Sequence, residues 1–202
     1  MILRTAAFAL ILLAATSCSF SNRKQAVNAT PRNAYRVELP FVASSAQPAD
    51  VVLLVREVDV DPAFAAPGFV RRDGEGRFEL DPYNRFFSNP GDEVRAALLG
   101  RLRDQSLAKT IVTEYSTLKP THYLETSVME IYGQSPVGEA VLSLRFVLHT
   151  ADGTVLLDRE HRQRIPVGSV KSEDLKAGWE RALNSTLLAA VPELREAITR
   201  PQ

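Results

Sequence analysis

Cysteine is almost absent: the 202 residues contain only Cys18, so no intramolecular disulfide can form. Histidine is nearly as scarce. His122, His149 and His161 lie far apart, without HExxH or comparable ligand spacing, so no metal centre is expected. Neither sign of charge dominates, with 24 Lys and Arg against 24 Asp and Glu, which removes the basic field that nucleic-acid binding needs. Nucleophile motifs are missing as well: Ser135-Pro136 and Ser185 have no GxSxG context. Gly74-Glu75-Gly76 sits between two candidate strands instead of opening a helix, so it reads as a turn and not as a phosphate cradle. Glu57, Asp59 and Asp61 alternate along a candidate strand and would line its wet face. These absences leave no catalytic residue, no cofactor-binding residue and no metal ligand to expect, and they favour a binding or scaffold role.

Long apolar runs are also lacking, with one exception. Thr5 to Ala15 is rich in Leu, Ile and Ala and follows a positively charged start ending at Arg4. It is too short for a bilayer core, which takes about 20 apolar residues, and has the shape of a secretory signal. Ala14-Ala15-Thr16-Ser17 then leads into Cys18. The surroundings resemble a lipobox, with Ala15 where the pattern usually has Leu. Lipidation at Cys18 would remove an otherwise stray thiol and make Cys18 the first mature residue. Residues 1–17 therefore read as a lipoprotein signal peptide. Residues 18–34, without hydrophobic periodicity, read as a flexible tether. Residues 35–202 read as one folded domain, large enough for a real core. Ser19 after the cysteine is not an inner-membrane retention signal, so the expected location is the outer membrane, lipid-anchored and facing the periplasm.

Alternation predicts strands at Arg36–Phe41 and Val51–Val60, and a hairpin from Gly68–Arg72 and Arg77–Leu80 around Asp73-Gly74-Glu75-Gly76. Asn89 is a natural N-cap before Pro90, and Val94, Ala97, Leu98 and Leu102 make an apolar helical stripe, with Arg95, Arg101 and Asp104 turned outward. Further strands are expected at Ile111-Val112 and at Tyr123–Tyr132, where the alternation slips near Val128-Met129 as a bulge would make it. Ala140, Leu142, Leu144, Phe146 and Leu148 share one face of the next strand. Asp152-Gly153 predicts a two-residue type I′ loop that sets Leu148 against Leu157 and Arg145 against Glu160 as an ion pair. Ser172 should cap a closing helix whose stripe runs from Leu175 through Trp179, Leu183, Leu187, Val191 and Leu194, with a kink or restart at Pro192. Trp179, on that stripe, reads as core. The order predicts an α+β fold, a mainly antiparallel sheet covered on one face by two helices.

Several segments together carry a family resemblance: Tyr35-Arg36-Val37, Val70-Arg71-Arg72, Phe78-Glu79-Leu80 and Tyr83-Asn84-Arg85-Phe86-Phe87-Ser88-Asn89-Pro90. With the lipobox, the Ala140–Leu148 strand and the closing helix, they resemble the ABC-type transport auxiliary lipoproteins of the PqiC/YmbA kind, over nearly all of residues 35–199. Phe86 stands where that family often has Trp. The resemblance implies a non-catalytic lipoprotein subunit of an MCE-type ABC transport system, which moves lipids between envelope membranes and supports membrane integrity. Its expected partners are an MCE-domain protein, the membrane through the lipid anchor, and further copies of itself in a homo-oligomer. A lipoprotein activator of a peptidoglycan synthase is the alternative, since such activators are also small tethered α+β domains, and an unrecognised hydrolase is a third.

Overall fold

The fold is that of a computed structural model, which describes residues 33–200. Cys18, the signal segment and most of the expected tether lie outside the described residues. Eight strands form one sheet: β1 (Asn33–Tyr35), β2 (Ala49–Val60), β3 (Gly68–Arg72), β4 (Phe78–Phe86), β5 (Ala108–Val112), β6 (His122–Gln134), β7 (Glu139–Thr150) and β8 (Val155–Pro166). Two helices accompany it, α1 (Pro90–Asp104) and α2 (Ser172–Thr199).

The centre of the sheet is β6. One of its edges is paired throughout by antiparallel β7. The other edge is shared: β2 lies parallel along its first half, and β3 lies parallel at Gly133 and Gln134. Two arms therefore leave β6 on that side, β2–β5 and β3–β4–β1, while β7 and then β8 extend the sheet on the other.

This corrects the expectation of a mainly antiparallel sheet, because four of the seven strand pairings are parallel: β1–β4, β2–β5, β2–β6 and β3–β6. The cause is α1, which carries the chain back along the sheet so that β5 runs beside β2 in the same direction. Alternation along a strand reveals which face is buried and carries no information on the neighbour's direction.

Both helices cover one face, α2 over β7 and β8 and α1 over β2 and β5. Between helices and sheet lies the core, with Leu53, Val55, Phe69, Leu98, Leu124, Leu144, Phe146, Leu187 and Leu194 almost wholly removed from water. Each such side chain stabilises the fold by about 1.5–3 kcal/mol. The stripe of α2 is buried as expected, including Trp179, which is 2 % exposed. Its ring stands edge-on to Phe69, with Phe86 alongside, and its indole N–H donates to the carbonyls of Tyr132 (3.3 Å) and Val141 (3.2 Å).

Several local expectations hold. Asn89 caps α1 by accepting from Asp92 N–H, the 68–86 hairpin forms, and β6 shifts register between Val128 and Glu130. Other expectations are corrected. No strand forms over Arg36–Phe41; the pairing falls on β1, and the chain from Arg36 to Gln47 is held by side chains instead. Glu93 accepts from Val37 N–H, Glu180 from Glu38 N–H, Arg101 donates to Pro40 O and Arg195 to Gln47 O. Arg101 is accordingly buried and not turned outward.

The β7–β8 loop is not type I′, which needs two positive φ angles: only Gly153 has one, at 89°. Asp152 instead accepts from Thr154 N–H, and the turn closes through Gly153 N–H to Thr150 O. Ser172 is the first residue of α2, and Lys171 occupies the cap position. The helix does not restart at Pro192 but runs on to Thr199.

Candidate functional site

The helix-free face of the sheet is the surface left for recognition. On β7 the alternation that buries Leu142, Leu144 and Phe146 under α2 turns Arg145, Val147 and His149 to this open face, while Val141 and Ser143 point to the same side but are fully buried there. Neighbouring strands answer them with opposite charge. Arg145 grips Asp158 through two nitrogens (2.8 and 2.6 Å), Ser143 donates to Glu160 (2.6 Å), Arg162 meets Glu130 (2.6 Å) and Arg164 meets Glu139 (3.3 Å). Arg145 does stand opposite Glu160 in register, but its ion pair goes to Asp158. Further along, His149 stacks flat on Tyr123, and Glu125 joins Arg56 and His149.

The result is a face of mutually neutralised charges, polar yet without a strong field of either sign. The β8 edge continues the theme. It is unpaired among the described residues, and Asp158, Arg159, Glu160, Arg162 and Arg164 crowd it with charge, which discourages indiscriminate strand addition.

The β3–β4–β1 arm is chemically different. Phe64, from the β2–β3 loop, is buried beneath Phe78 and Tyr132, and Arg72 lies 5.5 Å above the Phe78 ring. Outside this cluster Phe78 (51 %), Leu80 (55 %) and Phe87 (61 %) remain exposed, with Arg36 4.9 Å above Phe87. On the opposite, helix-covered side of the same arm, Arg71 donates to Asp81 (2.6 Å). Burial opposes ionisation of Asp81, but hydrogen bonds from the Asn84 side chain and from Tyr83 and Asn84 N–H, with the Arg71 charge, outweigh it and hold the carboxyl below its ordinary value.

The residues weighed for chemistry in the sequence are not brought together. His122 is buried on the helix-covered side, where burial lowers its pKa, His149 lies on the open face, and His161 lies against Glu193 of α2. Glu57, Asp59 and Asp61 are exposed as expected. No group of three or more His, Cys, Asp or Glu among the described residues is placed to share a metal ion. No described helix is long and apolar enough to cross a membrane. The sequence does not distinguish the exposed apolar arm, because Phe78 and Leu80 alternate as buried strand residues do.

Residues 37–190 match the family model of the ABC-type transport auxiliary lipoprotein component. No curated protein sequence matches the chain. Among solved structures, the fold resembles a Xanthomonas campestris protein of the DUF330 family, with 16 % identity, 79 % of this chain and 92 % of that one covered, and a TM-score of 0.70. An uncharacterised protein is similar at 16 % identity, 81 % and 98 % coverage and a TM-score of 0.66. A hypothetical protein of Chlamydia trachomatis is similar at 9 % identity, 72 % and 98 % coverage and a TM-score of 0.50.

Proposed function

The chain belongs to the ABC-type transport auxiliary lipoprotein family, and from that membership we propose that it is a non-catalytic subunit of an MCE-type transporter moving lipids between envelope membranes. In this reading Cys18 carries the lipid anchor, the domain faces the periplasm from the outer membrane, and its partner is an MCE-domain protein. The observation that carries the reading is the family match across 37–190, together with a sole cysteine placed directly after a signal-like segment. The open face suits a docking role: paired charges lose little when a partner with its own polar rim covers them, and they penalise a poorly matched one.

Affinity capture of the tagged full-length protein from detergent-solubilised envelopes tests the partner. Recovery of an MCE-domain protein in stoichiometric amount is expected; recovery of a penicillin-binding protein in its place would favour the synthase-activator reading and overturn this one. The anchor is tested by Cys18→Ala, which should abolish incorporation of labelled fatty acid. Fractionation should place the wild-type protein in the outer membrane.

A further inference from the structure

The arm that first receives the chain is also the part of the surface best suited to a lipid headgroup layer. Along β4 the exposed side chains of Phe78 and Leu80, then Arg85 and Phe87 beyond the irregular stretch at Pro82–Asn84, point to the open face, because Asp81, Asn84 and Phe86 turn inward toward Arg71, Tyr35 and Trp179. Leu80 and Arg85 line one shallow cleft with Gly68, and Arg36 lies over Phe87. Three exposed apolar side chains are thus interleaved with Arg36, Arg72 and Arg85. The acids nearest the hairpin tip, Asp73 and Glu75, are both bonded to Arg77. This mixture of aromatic, aliphatic and guanidinium groups differs from the neutralised ladder on β6–β8, and it suits an interfacial layer where rings enter the acyl boundary and cations meet phosphate.

The chain's own path supplies the partner. The described fold begins at Asn33 in β1, the edge strand of this same arm. Cys18 lies only 15 residues upstream, so a lipid there cannot be farther than about 50 Å from β1. The intervening segment carries Arg23, Lys24 and Arg32 and no acid. Anchor, basic segment and apolar-basic arm therefore follow one another from the bilayer inward.

We propose that the open face of the β3–β4–β1 arm rests on the bilayer that holds Cys18, binding anionic phospholipid headgroups and fixing the orientation of the domain. The proposal rests on the lipid-anchor reading, and its test separates the two. With Cys18 acylated, single cysteines placed at Leu80, Phe87 or Val155 offer one thiol each for an environment-sensitive fluorophore. Val155 is exposed towards the opposite end of the sheet, about 30 Å along the strands from the level of Leu80 and four strands away from β4.

The full mature protein is reconstituted in vesicles of phosphatidylethanolamine and phosphatidylglycerol at 3:1. Labels at 80 and 87 should shift to the blue and be quenched by shallow nitroxide lipids, while the label at 155 stays aqueous. Arg36→Glu with Arg85→Glu, or vesicles of phosphatidylcholine alone, should reduce the docked population at least about tenfold. Labels at 80 and 87 as aqueous as that at 155 would overturn the proposal, and would point to a protein partner covering the arm. Intact mass and thiol count read the anchor separately. If Cys18 proves unmodified, the same labels in a Cys18→Ala background, mixed with the same vesicles, still decide: a blue shift supports docking and its absence overturns it.

Discussion

Trp179 shows how much one side chain can carry. It joins the helix stripe to Phe69 and Phe86 of the β3–β4 arm and, through its indole N–H, to the backbone of β6 and β7. Trp179→Ala removes a large buried ring together with the indole N–H that Tyr132 O and Val141 O accept from, a loss of about 3–5 kcal/mol. The purified protein should melt roughly 6–20 °C earlier, at about 2–4 °C per kcal/mol for this chain length; an unchanged melt would mean the ring does not sit in the core. His122 makes a subtler contribution. Burial favours its neutral form, so the unfolded chain binds the extra proton first as the pH falls through the ordinary histidine value of about 6.5. Stability should therefore decline between pH 7 and pH 5.5, and His122→Gln should flatten that decline in urea titrations. Asp81 works in the lower range: its depressed carboxyl stabilises the fold at neutral pH, and this contribution is lost as the pH falls below about 4.

At the scale of elements, competing effects can be weighed at Gly178 in α2. Alanine is the better helix former by about 1 kcal/mol. Its Cβ, however, would stand 2.5 Å from Ala140 Cβ and 2.6 Å from Val167 Cγ1, and neither neighbour is the end of a flexible chain. Overpacking costs about 1–3 kcal/mol, so Gly178→Ala should destabilise despite the propensity gain; a higher denaturation midpoint would show that α2 can lift off β7 at no cost. Exposed pairs on the open face behave oppositely. Replacing Arg145 and Asp158 together by Ala should change stability by less than about 1 kcal/mol, because both are nearly half exposed and water screens them. If the open face docks a partner as proposed, the double variant should lose affinity in envelope capture while keeping its melt.

Across the whole molecule, β6 makes one cooperative unit of what could have been two. Both arms and the β7–β8 hairpin hydrogen-bond to it, and α2 lies across β7 and β8 while Trp179 reaches the far arm. Unfolding should follow one transition, with near-ultraviolet dichroism of the aromatic cluster and far-ultraviolet dichroism of the sheet coinciding. Two separated transitions would show that the β3–β4–β1 arm melts independently. A single unit also suits a subunit whose orientation must pass from one surface to another, since an arm resting on lipid then fixes where the β6–β8 face points.

The sequence by itself determined the parts that depend on local chemistry. Asn89-Pro90 starts α1, the stripe from Leu175 to Leu194 is buried, the Arg145–Glu160 register holds, and the slip near Val128 is a shift of register, because caps, helical period and strand alternation act over a few residues. It also pointed to the family through the order of its segments. Only the tertiary structure decided which strands are neighbours and in which direction, because pairing joins residues far apart in sequence, as in Leu53 with His122, and alternation looks the same for either direction. Burial of Arg101 is the mixed case: three, four and seven residues after Leu98, Ala97 and Val94 it lies on the apolar stripe of α1, but its charge favours an outward reading, and only the return of Pro40 and the approach of Asn184 give its guanidinium partners away from water. The exposed Phe78 and Leu80 are the converse case. They carry the pattern of a core strand, yet the arm they lie on has helices on its other face alone.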